Sequence, residues 1–315
     1  MWEAFQARVV DAIKGKPWDD GVPGRWITGD RMADVVLLPP LFAFGFVLLR
    51  RVLVSFLFEP SGVAVMTRRM KKSGSKWDVP KQAEFLRKWN ESCWKCFIYT
   101  VFTTFAFLAT CTEPYFTNPQ QFWAGATQVP LNYYVPLKHA LFYHIQIGFY
   151  LQAVPFLMFI EVRRKDWAES FAHHIVTLGL MYYSYYVNFT RPGVIVMLLH
   201  DVSDIFLEAA KLSRYAGRQS AATAWFAAFA LSWIVLRVVI FCRVIVLSCM
   251  IDPIVMIALP YDVDPQPHYS IFATLFMVLY FLHLYWTWLI LQVVRKQLTG
   301  GTASDVREDD DSDDG

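Results

Sequence analysis

Long apolar runs dominate this chain and restrict its fold more than any other feature. A helix that crosses a bilayer needs about 20 mainly apolar residues, and about seven segments approach that length. They lie near residues 33–58, 93–112, 139–161, 169–188, 191–211, 221–249 and 269–293. Hydrophobic residues make up 56% of the chain, whereas soluble domains average about 45–50%. The sequence therefore predicts an all-α, polytopic membrane protein with about seven transmembrane helices.

The segments between these runs differ in their lysine and arginine content. Segment 60–90 carries eight such residues, segment 113–138 carries only Lys138, and segment 252–268 carries none. Cytoplasmic loops are enriched in lysine and arginine. The alternation predicts an N-terminus outside the cytosol and a C-terminus in the cytosol. The formal net charge is only +2, and the basic cluster after the first run indicates topology rather than a nucleic-acid-binding surface.

The predicted organisation has five parts. Residues 1–32 form an N-terminal non-cytosolic segment, and no signal-peptide pattern occurs in the first thirty residues. Residues 33–58 form the first transmembrane anchor, 59–84 a basic cytosolic loop, and 85–295 a domain with about six transmembrane helices. Residues 296–315 form an acidic tail that is predicted to be disordered and cytosolic. Ser304 and Ser312 lie among its acids and are candidate phosphorylation sites, but a solvated acidic tail is the preferred interpretation.

Ionisable residues interrupt two consecutive apolar runs, and they are the main functional signal. On insertion scales a charged residue at the centre of a membrane helix costs about 2.5–3.5 kcal/mol, so such residues mark functional sites by default. Imidazole suits acid–base work near neutral pH, and a buried carboxylate orients an imidazole and stabilises its cation. The pattern predicts a catalytic group formed by His173, His174, His200, Asp201 and Asp204.

A very short turn near Asn188 to Arg191 separates the two runs, which predicts a tight antiparallel hairpin. With equal rise per residue, His173 comes level with about Phe206 and His174 with about Ile205. Polar residues recur at helical spacing on both runs. Two facing stripes are therefore predicted to line one cavity in the cytosolic half of the membrane. The stripes are His173, Thr177, Ser184 and Asn188 on the first run, and His200, Asp204, Glu208 and Lys211 on the second.

Three other interpretations of these residues remain open. Polar side chains also join membrane helices by hydrogen bonds, a role that suits Ser184 and Asn188 equally well, and Glu208 and Lys211 suit a pair with each other. A metal site would use the same residue types. However, adjacent histidines point about 100° apart on a helix, so no metal is predicted. A transporter with a proton relay would show internal repeats, and none is visible. His283 is predicted to be a core histidine whose hydrogen bonds are satisfied.

The run His173-His174, Ser184-Tyr185-x-x-Asn188, Arg191-x-Gly193, His200-Asp201-x-x-Asp204, Leu207-Glu208-x-x-Lys211, Tyr215 resembles the signature of ceramide synthases. These are the longevity-assurance proteins of the TLC superfamily. The likeness covers roughly residues 85–295, so that this segment would be the TLC catalytic domain. It is similar to the plant and algal type, because the 60–90 segment is too short for a homeobox-like insert. Pro192 is a local departure from the pattern.

The resemblance implies a sphingosine N-acyltransferase of the endoplasmic reticulum membrane, with a lumenal N-terminus and a cytosolic C-terminus. Its substrates would be a fatty acyl-CoA and a sphingoid base, and it would need no cofactor. The substrate-binding residues would be Thr177, Ser184, Tyr185, Asn188, Arg191, Glu208 and Lys211. The CoA phosphates would meet Arg163, Arg164, Lys165, Arg214 and Arg218.

Two points stay open in this interpretation. The alternative function is a non-catalytic TLC-domain protein that binds lipid or assists membrane-protein assembly. Homodimers, heterodimers and accessory subunits are all compatible with the sequence, and the preferred acyl length cannot be read from it.

Overall fold

The computed structural model describes residues 31–161 and 163–299. Within them all regular structure is helical, so the predicted all-α class is confirmed. Five helices are long and apolar enough to cross a membrane, namely Ala33–Ser73, Val79–Thr110, Leu137–Phe159, Gln219–Tyr261 and His268–Leu298. The predictions for the first thirty residues and for the acidic tail with Ser304 and Ser312 lie outside the described residues.

The helices follow one another with short connections, except for the long connection 111–136. We label them α1 (Arg31–Leu53), α2 (Glu59–Ser73), α3 (Val79–Thr110), α4 (Leu137–Phe159), α5 (Trp167–Tyr186), α6 (Thr190–Tyr215), α7 (Gln219–Trp233), α8 (Leu247–Pro253), α9 (Leu259–Tyr261) and α10 (His268–Leu298). A π-helical turn, Val54–Phe58, joins α1 to α2. Two further π-helical stretches, Ile234–Val246 and Ile254–Ala258, make α7, α8 and α9 one continuous rod.

The predicted basic loop 59–84 is helical for most of its length. Helix α2 continues the first span as far as Ser73 and ends at Gly74, whose φ of 68° is the left-handed conformation that glycine adopts easily. Helix α3 then begins at Val79, where the Asp78 carboxylate accepts a hydrogen bond from the Lys81 amide at 3.1 Å. The segment is thus mostly helix and not an irregular loop, because hydropathy detects where a helix leaves the apolar layer, not where the helix ends. Its place on the cytosolic side stays a prediction.

The connection 111–136 packs as a cap over one end of the bundle. Phe122 and Trp123 are buried, and the indole of Trp123 donates to the Ser248 hydroxyl at 3.1 Å. Arg191, in the first turn of α6, donates to the carbonyls of Gln121 and Ala124 at 3.2 and 2.8 Å. The cap therefore closes the end at which α5 turns into α6.

Helices α5 and α6 are joined by a short turn but do not form the predicted tight hairpin. Helix α6 packs mainly on α3 and α7, whereas α5 packs on α4 and α10. Asn188 makes the turn with a φ of 66°, and its side chain donates to the carbonyls of Leu131 and Tyr133, both at 2.9 Å. The two helices diverge from this turn because other helices cover most of their faces, and the space between them is free for a site.

Helices α5 and α6 contain 20 and 26 residues, so their length suffices to cross the apolar layer. They are absent from the five apolar candidates. Their polar residues lower their hydropathy, and the count of seven spans stays a prediction.

Candidate active site

The space between α5 and α6 is a cavity of about 220 Å³. His173 and His174 of α5 line one side of it, and Asp204 of α6 lines another. A smaller cavity of about 40 Å³ lies next to it, with Tyr150 in the wall of both. His200 and Asp201 line the smaller cavity, whose other walls are mostly apolar. The structure thus brings the five residues of the predicted catalytic group around two adjoining spaces.

The two adjacent histidines face the larger cavity and have no structural hydrogen bond at Nδ1. The ring of His173 lies 5.9 Å from that of His174, 6.4 Å from that of His200 and 5.3 Å from that of Trp286, centre to centre. Nδ1 of both His173 and His174 is buried without a hydrogen-bond partner. A buried polar atom without a partner is unusual, and here it leaves two imidazoles available to a bound molecule.

The predicted register between the two helices was wrong. His173 lies against His200, about two turns from its expected neighbour Phe206. The expectation assumed two rods side by side at equal rise, but α5 and α6 diverge, and Trp286 of α10 lines the cavity between them and packs on His173.

The imidazole of His200 is held in place by the imidazole of a second histidine, His283. The Nε2 atoms of His200 and His283 are 2.9 Å apart, and each Nδ1 faces a carbonyl oxygen, of Val196 at 2.6 Å and of Arg237 at 3.1 Å. His283 is fully buried. It is a satisfied core histidine, as predicted, but its partner is a residue of the site.

Each aspartate of the group has a partner on a neighbouring helix. The side-chain amide of Gln146, on α4, donates to the Asp201 carboxylate at 2.6 Å. Arg237, in the π-helical stretch after α7, forms an ion pair with Asp204 at 2.7 Å. The orientation of both carboxylates is therefore set by helices that the hairpin prediction did not include.

Charged side chains surround the opening of the larger cavity. Lys95 of α3 pairs with Glu91 at 3.0 Å and with Glu161 at 2.7 Å. Arg164 lies 3.3 Å from the same Glu91 oxygen. On α6, Lys211 pairs with Glu208 at 2.8 Å, as the sequence allowed. Lys95, Glu161, Arg164, Glu208, Lys211 and Arg214 all line the cavity.

The five residues predicted to meet CoA phosphates separate into two groups. Arg164 and Arg214 line the cavity, whereas Arg163, Lys165 and Arg218 do not. The Arg163 guanidinium lies 4.6 Å from the centre of the Trp167 ring. Only two of the five therefore stand where a ligand of this cavity would pass.

The predicted substrate-binding residues also separate. Glu208 and Lys211 line the larger cavity, and Thr177 and Ser184 line the smaller one. Tyr185, Asn188 and Arg191 line neither. Tyr185 donates to Asp34 at 3.5 Å, Asn188 makes the α5–α6 turn, and Arg191 binds the cap. The polar atoms of these three are directed to backbone and neighbouring helices, and their role in substrate binding stays a prediction.

Several residues of the site escaped the sequence analysis. Arg237 and Lys95 are ionisable residues within apolar helices, so the rule that identified His173 would have found them too. Gln146, Tyr150 and Trp286 gave no such signal, because none of them carries a side chain that is charged at neutral pH. Within residues 31–161 and 163–299 no three His, Cys, Asp or Glu side chains are arranged to hold a metal ion. The absence of a cofactor stays a prediction.

Fold and site together define a helical membrane protein with an acid–base cavity buried between its helices. The family model of the TLC domain matches residues 88–292. The chain belongs to the TLC domain family. It is 37% identical to the ceramide synthase LOH1 of Arabidopsis thaliana over 284 residues, which are 87% of this chain and 90% of that protein.

Two further relatives extend this likeness beyond one plant protein. The chain is 36% identical to the Alternaria stem canker resistance protein 1 of Solanum lycopersicum, covering 87% of this chain and 89% of that protein. It is 30% identical to ceramide synthase 3 of Homo sapiens, covering 72% of this chain and 56% of that protein.

Proposed function

We propose that this protein is a ceramide synthase, which transfers the acyl group of a fatty acyl-CoA to the amine of a sphingoid base. Relatives named ceramide synthase match most of the chain, which makes it an acyl-CoA-dependent N-acyltransferase. The observation that carries the proposal is the cavity that places His173, His174 and Asp204 together between membrane helices. A reaction between two lipids needs such groups at the depth where both apolar tails are buried.

The chemistry requires removal of a proton more than activation of the acyl group. The thioester is already reactive, whereas the sphingoid amine is mostly protonated near neutral pH. We infer that the ammonium first gives one proton to solvent, and that His173 or His174 accepts the second proton as the freed nitrogen attacks the thioester carbon. In the covalent variant of this route, one imidazole nitrogen first displaces the CoA thiolate and then passes the acyl group to the amine.

The remaining polar residues support this transfer. His200, held by His283, acts as a second acid–base group, and Asp201 and Asp204 orient the imidazoles and receive the ammonium before it loses its proton. Arg164 and Arg214 at the opening bind the CoA phosphates. The opening faces the cytosol, where CoA is available, and the basic residues of α2 on the same side favour that orientation in the endoplasmic reticulum membrane.

The assay uses purified protein with a panel of acyl-CoAs and sphingoid bases, and mass spectrometry detects the N-acylated product. His173→Ala is expected to lower the rate by about 10²–10⁴-fold, the usual loss for a positioned acid–base group. His268→Ala is the matched control, because His268 bonds the Tyr183 hydroxyl at 2.7 Å and lines neither cavity. Full N-acylation by His173→Ala at normal protein level would refute the role of His173.

A second measurement separates the two routes. The protein is incubated with acyl-CoA alone and its intact mass is determined. A mass increase equal to one acyl group, absent in the variant that lacks the acylated histidine, identifies the covalent route. Unchanged mass with full turnover on adding the sphingoid base identifies direct transfer. If the wild-type protein makes no N-acylated product from any substrate pair, the non-catalytic function of some TLC proteins takes precedence.

A further inference from the structure

Arg237 is a buried cation whose position within the site has no role in the mechanism above. It lies in the π-helical stretch Ile234–Val246, and only 4% of its surface is exposed. Its side chain forms part of the wall of the larger cavity, together with His173 and Asp204. An arginine within a membrane helix is expensive, so its presence at this wall needs an explanation.

The hydrogen bonds of Arg237 use only part of its donor capacity. Nη2 forms the ion pair with Asp204 at 2.7 Å and also donates to the carbonyl of His200. The guanidinium lies over the Trp233 ring, 4.3 Å from its centre. A guanidinium has five N–H donors and no acceptor. Nε is buried and has no hydrogen-bond partner. The ion pair therefore fixes the group but leaves a donor unused.

We propose that Arg237 stabilises the oxyanion of acyl transfer by donating a hydrogen bond to the acyl carbonyl oxygen. The inference rests on the proposed function, because it takes the cavity as the place of transfer. A guanidinium stays protonated under all physiological conditions, so Arg237 is neither the base nor the nucleophile. A fixed cation in a site from which water is excluded stabilises developing negative charge far better than it would in water.

Acyl transfer forms one bond at the carbonyl carbon and breaks another. The amine nitrogen forms a bond to the thioester carbon, and the π electrons of the carbonyl move to oxygen, which becomes negative beside Arg237. The carbonyl forms again as the carbon–sulfur bond breaks, and that electron pair leaves with sulfur as the CoA thiolate. The ammonium gives one proton to solvent before the attack, and the imidazole takes the second amine proton and gives it to the thiolate. In the covalent route the same oxyanion forms twice, once when imidazole attacks and once when the amine attacks.

A purely structural role for Arg237 makes a different prediction. If Arg237 served only to neutralise and orient Asp204, its removal would have no effect of its own once Asp204 carried no charge. If Arg237 acts on the oxyanion, its removal lowers the rate by the same factor with or without that charge. A double-mutant cycle with Asp204→Asn therefore separates the two roles.

The experiment measures kcat and KM for both substrates in Arg237→Met, Arg237→Lys and Arg243→Met. Arg243 is the matched control, because it lies on the same π-helical stretch, is exposed and lines neither cavity. Removal of one donor to an oxyanion lowers kcat by about 10²–10³-fold. We expect that loss for Arg237→Met with little change in either KM, since the bond forms only in the transition state. Arg237→Lys keeps the positive charge but not the forked guanidinium, so its kcat should lie between those of the wild type and Arg237→Met.

Three results would overturn the proposal. The kcat of Arg237→Met could stay within about threefold of the wild type, far from the loss of an oxyanion donor. The loss could fall entirely on KM, or it could vanish in the Asp204→Asn background. If Arg237→Met does not fold, as judged by gel filtration in detergent, Arg237→Lys carries the same kcat and KM test. A wild-type protein that makes no product would refute the proposed function and this inference with it, whereas an active wild type beside an unimpaired Arg237→Met would refute this inference alone.

Discussion

Removal of the Glu91 charge tests how the opening of the cavity is held together. The Glu91 side chain is only 4% exposed and faces two cations, Lys95 at 3.0 Å and Arg164 at 3.3 Å. Lys95 also pairs with Glu161 at 2.7 Å. In this group two carboxylates balance two cations. Glu91→Gln keeps the size of the side chain and leaves two cations, whose side chains are 16% and 13% exposed, with one carboxylate fewer.

The size of the effect follows from burial. Breaking a buried ion pair by removing one partner costs about 3–5 kcal/mol, because the other charge is left buried and unpaired. An exposed pair contributes only about 0–1 kcal/mol. We expect Glu91→Gln to lower the free energy of unfolding by about 3–5 kcal/mol. The pair Glu84–Lys88 provides the control Glu84→Gln, because there the carboxylate side chain is 45% exposed, although that of Lys88 is only 11% exposed.

The assay is denaturant-induced unfolding in mixed detergent micelles, followed by tryptophan fluorescence. A double variant, Glu91→Leu with Lys95→Met, removes one charge of each sign and replaces the pair with apolar groups of similar size. Such replacements are often neutral or stabilising, so the double variant should be more stable than Glu91→Gln. A loss for Glu91→Gln no larger than that for Glu84→Gln, or a double variant as unstable as the single one, would refute the reasoning.

Three smaller changes test the packing and the site. Gly148→Ala should destabilise the protein by about 1–3 kcal/mol through overpacking, because the added Cβ would lie 2.8 Å from the backbone oxygen of Pro39 on α1. Gly45→Ala is the control, because nothing lies within 4 Å of a Cβ added there. Thermal unfolding in detergent compares the two variants. Asn188→Ala should cost more stability than Asn188→Gly, because both lose the side-chain bonds but only alanine is strained at a φ of 66°; equal melting temperatures would contradict this. Gln146→Leu leaves the Asp201 carboxylate without its 2.6 Å donor, a loss of about 1–3 kcal/mol that predicts about 5–150-fold slower N-acylation at an unchanged protein level.

The apolar runs predict two of the long helices closely. The boundaries of α4 and α10 agree with the predicted runs to within about five residues, because the apolar layer requires a minimum helix length. The same rule failed for segment 59–84, whose charged residues leave the apolar layer without ending the helix. The functional histidines and aspartates were visible because an ionisable group in an apolar run is rare. The same rule applies to Arg237, but the sequence prediction passed over this residue because the run around it is long and strongly apolar.

By itself the sequence determined that this protein is a bundle of membrane helices and that two of them carry acid–base groups. Both facts follow from local composition, since burial in lipid restricts each residue separately. The tertiary structure alone decided which groups meet. Asp204 pairs with Arg237, His200 with His283, and Asp201 with Gln146, and each partner comes from a different helix. Those pairings depend on how the helices diverge and rotate as they pack, and the spacing of residues along one chain carries no record of that.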